Sequence, residues 1–148
     1  RIWPELAARW PALVWRIIGR NPDGVRRLVG RDPRIEVTGE VADAVGELAG
    51  AAVVVAPLRM GSGTRVKILE AWAAGRAVVS TSLGAEGLGA LDGQHLLLAN
   101  HPGEFAAAVS RLLDSPALRR RLGVAGRELY ERHFTWQAAW AALQEAGL

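Results

Sequence analysis

The run Ala-Val-Val-Val-Ala at 52–56, closed by Pro57, constrains the fold more than any other feature of this chain. An unbroken apolar stretch of mostly β-branched residues, with no polar alternation, describes a strand covered on both faces. Such strands belong to parallel sheets, and parallel neighbours need a crossover of a dozen or more residues, usually a helix. The remainder of the sequence supplies that rhythm.

Trp3, Leu6, Ala7 and Trp10 share one helical face, with Pro4 tolerable in the first turn, so a helix is predicted over residues 1–10, ended by Pro11. A strand is predicted over 12–18, stopping at Gly19, then a short helix near 25–30 after Asn21-Pro22-Asp23-Gly24. Next come a strand at 35–38 ending in Gly39, a helix over 41–48, the apolar strand 52–56, and a helix over 63–74 closed by Gly75 as a left-handed cap. Strands at 77–81 and 96–98 follow, and the rest is helical, over 102–113, 116–132 and 135–146. Trp136, Trp140 and Leu143 form one stripe on the last helix. Strands alternating with helices predict an α/β fold, a doubly wound parallel sheet of at most five strands covered on both faces, with helices at the C-terminal end.

A length of 148 residues suits one domain, and no internal repeat or linker divides it. The absence of Cys excludes disulfides, thiolate metal sites and a cysteine nucleophile. The three His residues, His95, His101 and His133, are widely separated, adjoin no nucleophile and are assigned to structure or surface. No apolar run reaches the length of a membrane span. The chain opens at Arg1 without Met and without an apolar signal core, which reads as the interior of a longer sequence. Net charge is +3, but the bases are scattered among carboxylates, so no nucleic-acid partner is expected. Arg accounts for 17 of the 18 basic residues, which makes the position of the single lysine, Lys67, informative.

Ligands of open parallel sheets bind where strands end and helices begin, because loops converge there and helix N-termini carry unpaired N–H groups. At that place this chain is densest in glycine and small polar residues: Arg59-Met60-Gly61-Ser62-Gly63-Thr64-Arg65-Val66-Lys67-Ile68-Leu69-Glu70 joins the most apolar strand to a strong helix. Gly61 and Gly63 allow close approach of the backbone to a phosphate, and Ser62 and Thr64 supply hydroxyls. A tight turn with a capping hydroxyl would account for Gly-Ser-Gly alone. Arg59, Arg65 and Lys67 oppose the helix dipole at this end, however, and so point to an anion. The spacing is neither a Walker loop nor a dinucleotide fingerprint. Glu70 shares a face with Lys67 and suits either an ion pair with it or a pair of hydrogen bonds from a ribose diol.

The segment 57–88, from Pro-Leu-Arg-Met-Gly-Ser-Gly-Thr-Arg through Ile-Leu-Glu-Ala-Trp-Ala-Ala-Gly to Gly-Ala-Glu-Gly-Leu, resembles the donor-binding core of glycosyltransferase family 4, and the likeness extends over essentially the whole chain. The resemblance implies a GT-B enzyme of two Rossmann-like lobes. Residues 1–148 would correspond to the C-terminal nucleotide-sugar-binding lobe, without its opening strand and part of its first helix, and without the N-terminal acceptor lobe. In that family the second Glu of a Glu, seven residues, Glu pattern binds the ribose, and Glu70 matches it, whereas the first Glu falls at Ser62. The loop agrees instead with a Gly-Ser-Gly-Thr-Arg branch of sugar transferases associated with exopolysaccharide biosynthesis.

The resemblance therefore implies a retaining hexosyltransferase that takes a UDP-, GDP- or similar nucleotide-sugar, with no cofactor and no metal. Gly61, Ser62, Gly63, Thr64, Arg65 and Lys67 would hold the diphosphate and sugar, and Glu70 the ribose. Gly39, Glu40 and Val41 would meet the base through the main chain, and Arg59 and Glu86 the sugar or acceptor. The usual catalytic His would lie in the absent lobe, leaving this lobe inactive alone. A polysaccharide or lipid-linked acceptor would place the enzyme in the cytoplasm, with peripheral association at the inner face of the cytoplasmic membrane. The Trp136, Trp140, Leu143 stripe would turn toward the N-terminal lobe. A non-catalytic nucleotide-binding module and a GT-B sugar-nucleotide epimerase are the alternatives.

Overall fold

A computed structural model of the chain describes residues 2–61 and 65–145. In chain order the elements are α1 (Ile2–Arg9), β1 (Trp15–Ile18), α2 (Pro22–Val29), β2 (Ile35–Gly39), α3 (Ala44–Ala49) and β3 (Val54–Ala56). They continue with α4 (Val66–Ala73), β4 (Val78–Ser80), β5 (Leu97–Leu98), α5 (Pro102–Asp114), α6 (Pro116–His133) and α7 (Trp136–Glu145). Every strand pairing is parallel, as expected, but the hydrogen-bonded strands fall into a pair, β1-β2, and a triple, β3-β4-β5.

Both faces of the triple are covered, and alternate residues of each strand serve different cores, as the period of two requires. Val79, Leu97 and Ala99 pack with Leu6 of α1 and Phe105, Val109 and Leu112 of α5, flanked by Val53 and Val55. Val54, Ala56, Val78 and Leu96 turn the other way, onto Ile68, Ala71 and Trp72 of α4 and Leu129 of α6. The second core depends on small residues. A side chain at Gly126 would run onto the Trp72 indole, and one at Gly123 onto the Gly75 carbonyl, so these two glycines let α6 lie directly against α4 and its closing turn.

Local chemistry explains the element ends. Asn21 adopts a left-handed conformation at φ 58° and its side chain accepts the Gly24 N–H, which starts α2 at Pro22, earlier than the expected residue 25. Asp43 caps α3 by accepting the Gly46 N–H. Gly75, at φ 67°, takes the left-handed conformation expected of it after α4. At the other end of the chain, Trp3 and Arg34 both donate to Asp32, and Arg34 also reaches the Ala7 carbonyl, which fastens α1 to the approach to β2.

No helix among the described residues is long and apolar enough to cross a membrane. The apolar stripe of α7 faces solvent, with Trp136 82% and Trp140 64% exposed.

Candidate functional site

β3 ends at Ala56 and the chain turns through Pro57 to Gly61 before re-entering helix at Val66. An open cavity of about 250 Å³ lies at this place. Its apolar walls are Ala56, Leu58, Met60, Val66 and Ile68, and its polar lining comes from Gly61, Arg65, Lys67 and the backbone of Gly84. Gly61 has φ 128°, a backbone that an L side chain adopts poorly, and it is exposed at the rim. Ser62, Gly63 and Thr64 lie outside the described residues, including the capping role expected of Ser62 or Thr64. The helix expected from Gly63 begins at Val66, and Arg65 occupies its N-cap without a side-chain capping bond.

The floor is fixed by hydroxyls of the strand next door. Ser80 Oγ donates to the Ala56 carbonyl at 3.2 Å and to that of Thr81 at 3.0 Å, while Thr81 Oγ1 donates to the Leu58 carbonyl. Thr81 Oγ1 in turn accepts the Gly84 N–H at 3.0 Å. Gly84 therefore approaches β3 so closely that an added Cβ would lie 3.0 Å from the Ala56 carbonyl and collide with Ser80 Oγ. The loop after β4 is thus drawn against the loop after β3. Asn100 extends this bracing, accepting the Ser82 N–H and donating to the Ser82 hydroxyl.

Of the residues singled out in the sequence, Gly61, Arg65 and Lys67 come together around the cavity. Arg65 is the most enclosed of the cations, with a side chain only 9% exposed, and its Nη2 donates to Glu86 Oε2 at 3.2 Å. Glu86 itself is 70% exposed. Lys67 is exposed, and among the described residues no ion pair joins it to Glu70. Glu70 is half-buried on α4, beyond the cavity lining, and Arg59 is exposed outside it. Gly39, at φ 89°, ends β2, where Glu40 pairs with Arg20 at 3.3 Å and Val41 is half-buried; these three do not line the cavity.

The sequence reading missed Leu58, Gly84 and the apolar wall of Val66 and Ile68. The signal for Gly84 was present in Ser80-Thr81, two hydroxyl residues closing an otherwise apolar strand. Chemically the arrangement offers cations over an apolar floor at a helix start, which suits a phosphorylated ligand with an organic portion.

Residues 1–115 match the family model described as Glycosyl transferases group 1. No curated protein matches the chain. Among solved structures, the chain superposes on sucrose-phosphate synthase from Thermosynechococcus elongatus with TM-score 0.79 at 22% identity, covering 98% of this chain and 40% of that one. It superposes on Anabaena HepE in complex with UDP and glucose with TM-score 0.81 at 18% identity, covering 99% and 44%. For S. aureus TarM, in a structure containing UDP, the TM-score is 0.78 at 16% identity, covering 97% and 31%. The chain therefore spans less than half the length of these structural relatives, and the likeness establishes the fold: an α/β lobe of GT-B type with parallel sheets and C-terminal helices.

Proposed function

The chain belongs to the group 1 glycosyl transferases, and on that premise we propose that it is the C-terminal, donor-binding lobe of a retaining, metal-independent glycosyltransferase. The observation that carries this reading is the cavity beyond β3, where Gly61, Arg65 and Lys67 meet Gly84 at the start of α4. A nucleotide-diphospho-sugar has the matching chemistry, a multiply charged anion between two organic groups. The structures of HepE and TarM that contain UDP support a uridine nucleotide as the first to test.

In this reading the lobe acts electrostatically. The diphosphate rests beside residues 61–64, and Arg65 and Lys67 neutralise the charge that accumulates on it as the sugar departs. Glu70 accepts two hydrogen bonds from the ribose diol, and the main chain at Gly39-Glu40-Val41 meets the base. The sugar is delivered on the face from which the diphosphate leaves, to a polysaccharide or lipid-linked acceptor held by a second, N-terminal lobe. Exopolysaccharide synthesis at the inner face of the cytoplasmic membrane is the setting we assign. The exposed Trp136, Trp140 and Leu143 face of α7 would pack toward that second lobe.

The test is calorimetric titration of UDP, GDP and ADP into the chain and its Glu70→Ala variant. One nucleotide is expected to bind and the variant to lose about tenfold or more in affinity, the usual effect of removing hydrogen bonds to a charged group. Absence of binding by all three nucleotides overturns the donor-site reading. Residues 1–148 alone are expected to transfer no sugar in a product assay, and measurable transfer would refute the division of labour between lobes.

A further inference from the structure

We propose that Glu86 is a positioning residue whose carboxylate holds the Arg65 guanidinium in place for the diphosphate; this rests on the donor-site reading above. The argument begins with the asymmetry of the pair. Arg65 is nearly enclosed, at 9% side-chain exposure, whereas Glu86 is 70% exposed. A guanidinium withdrawn from water needs an anionic partner close by, because the desolvation of an uncompensated charge is expensive. An exposed carboxylate has no such need and would ordinarily stay solvated.

Glu86 is delivered to Arg65 by a segment with little freedom. Ala85 and Leu88, on either side of it, are buried in the core beneath α4. The Ala85 N–H donates to the Thr81 carbonyl at 3.1 Å, the Glu86 N–H to Leu83 at 3.4 Å and the Leu88 N–H to Ala85 at 3.3 Å. Gly84, two residues before Glu86, is itself tied to Thr81 and lines the cavity. The carboxylate therefore projects from a braced turn to a cavity-lining cation at the start of α4. Glu86 Oε2 engages Arg65 through Nη2 alone, and a guanidinium has five N–H donors in a rigid plane. That contact, together with the enclosure of the side chain, restrains the guanidinium ahead of ligand binding. Orientation supplied before binding is what makes a charged group effective toward a phosphate.

Glu86 thus serves the site through Arg65 and needs no contact with the sugar. Two groups of variants test this in the full chain, with inorganic pyrophosphate and UDP as probes. Glu86→Ala is expected to weaken binding about fivefold, the ordinary size of a coupling between touching residues, and Glu86→Gln, which keeps a hydrogen-bond acceptor but loses the charge, to weaken it less. In an Arg65→Lys background, which keeps the charge but lacks the planar fork, Glu86→Ala is expected to change little. The inference is overturned if Glu86→Ala binds as the parent does, if Gln and Ala are equally weak, or if the loss persists undiminished beside Arg65→Lys. Failure of the parent chain to bind either probe would overturn the donor-site reading and this inference with it, an outcome distinct from binding without coupling.

Discussion

The imidazole of His95 is buried and accepts the Leu91 N–H through Nδ1 at 3.1 Å, an arrangement that requires the neutral ring protonated on Nε2. Burial, reinforced by the positive charge of Arg132, holds its pKa below the ordinary value of 6.5. A depressed histidine pKa favours the neutral form in the folded state, so its stabilising contribution is complete above 6.5 and is lost as pH falls through the lowered folded value. Asp32 is depressed for a different reason, the hydrogen bonds it receives from Arg34 and Trp3, and its contribution fades only as pH falls below 3.8. The two declines therefore begin at different pH values. Thermal melts of the parent chain are expected to show a decline in Tm that begins below pH 6.5. His95→Gln, whose amide oxygen can still accept the Leu91 N–H, is expected to lack that first decline while keeping the one at lower pH. An unchanged profile in the variant would assign the first decline to other groups.

Among the elements, the contact of α4 with α6 decides more than any single strand, since it supports the helix that carries Arg65, Lys67 and Glu70. Trp72 is fully buried there, and Gly126 lies so near its indole that a Cβ would fall 2.5 Å from Nε1. Gly126→Ala is favourable for helix propensity, by somewhat under 1 kcal/mol, but it must displace a ring packed on all sides. The second effect dominates, and a net loss of about 1–3 kcal/mol in chemical denaturation is expected. A neutral or stabilising result would mean that α6 can slide away from α4.

The strong helix of α4 was legible because its apolar positions repeat at helical spacing after a glycine-rich turn. Its start was less so: residue 63 was expected and Val66 is observed, because residue 65 keeps a non-helical backbone, with ψ 49°. β1 was expected from residue 12 but begins at Trp15, where pairing with Ile35 begins; the residues before it turn, with Leu13 N–H bonded to the Trp10 carbonyl. Gly61, Arg65 and Lys67 were legible as one site because they are neighbours in sequence. The pairing of Arg65 with Glu86 was not, since 21 residues and a strand separate them and only the hydroxyl bracing of the β4 loop brings them together.

At the scale of the whole molecule, the most apolar strand stands at an edge of its sheet. Its run predicts coverage on both faces, and both are covered, yet among the described residues β3 pairs with β4 alone. Among the described residues β1 likewise pairs only with β2. Exposed apolar edges of this kind are a liability that folded proteins normally cover. α1 bridges the two groups: its chain continues into β1, while Leu6 packs with Val79 and Leu97 of the other sheet. The Val54 N–H donates to the Ala77 carbonyl just before β4, so the alternation of a parallel ladder turns the Val53 and Val55 N–H groups toward the other edge of β3. In residues 1–148 these two amides are expected to exchange with solvent much faster than that of Val54. Equal protection of the three amides would show that this edge of β3 is covered.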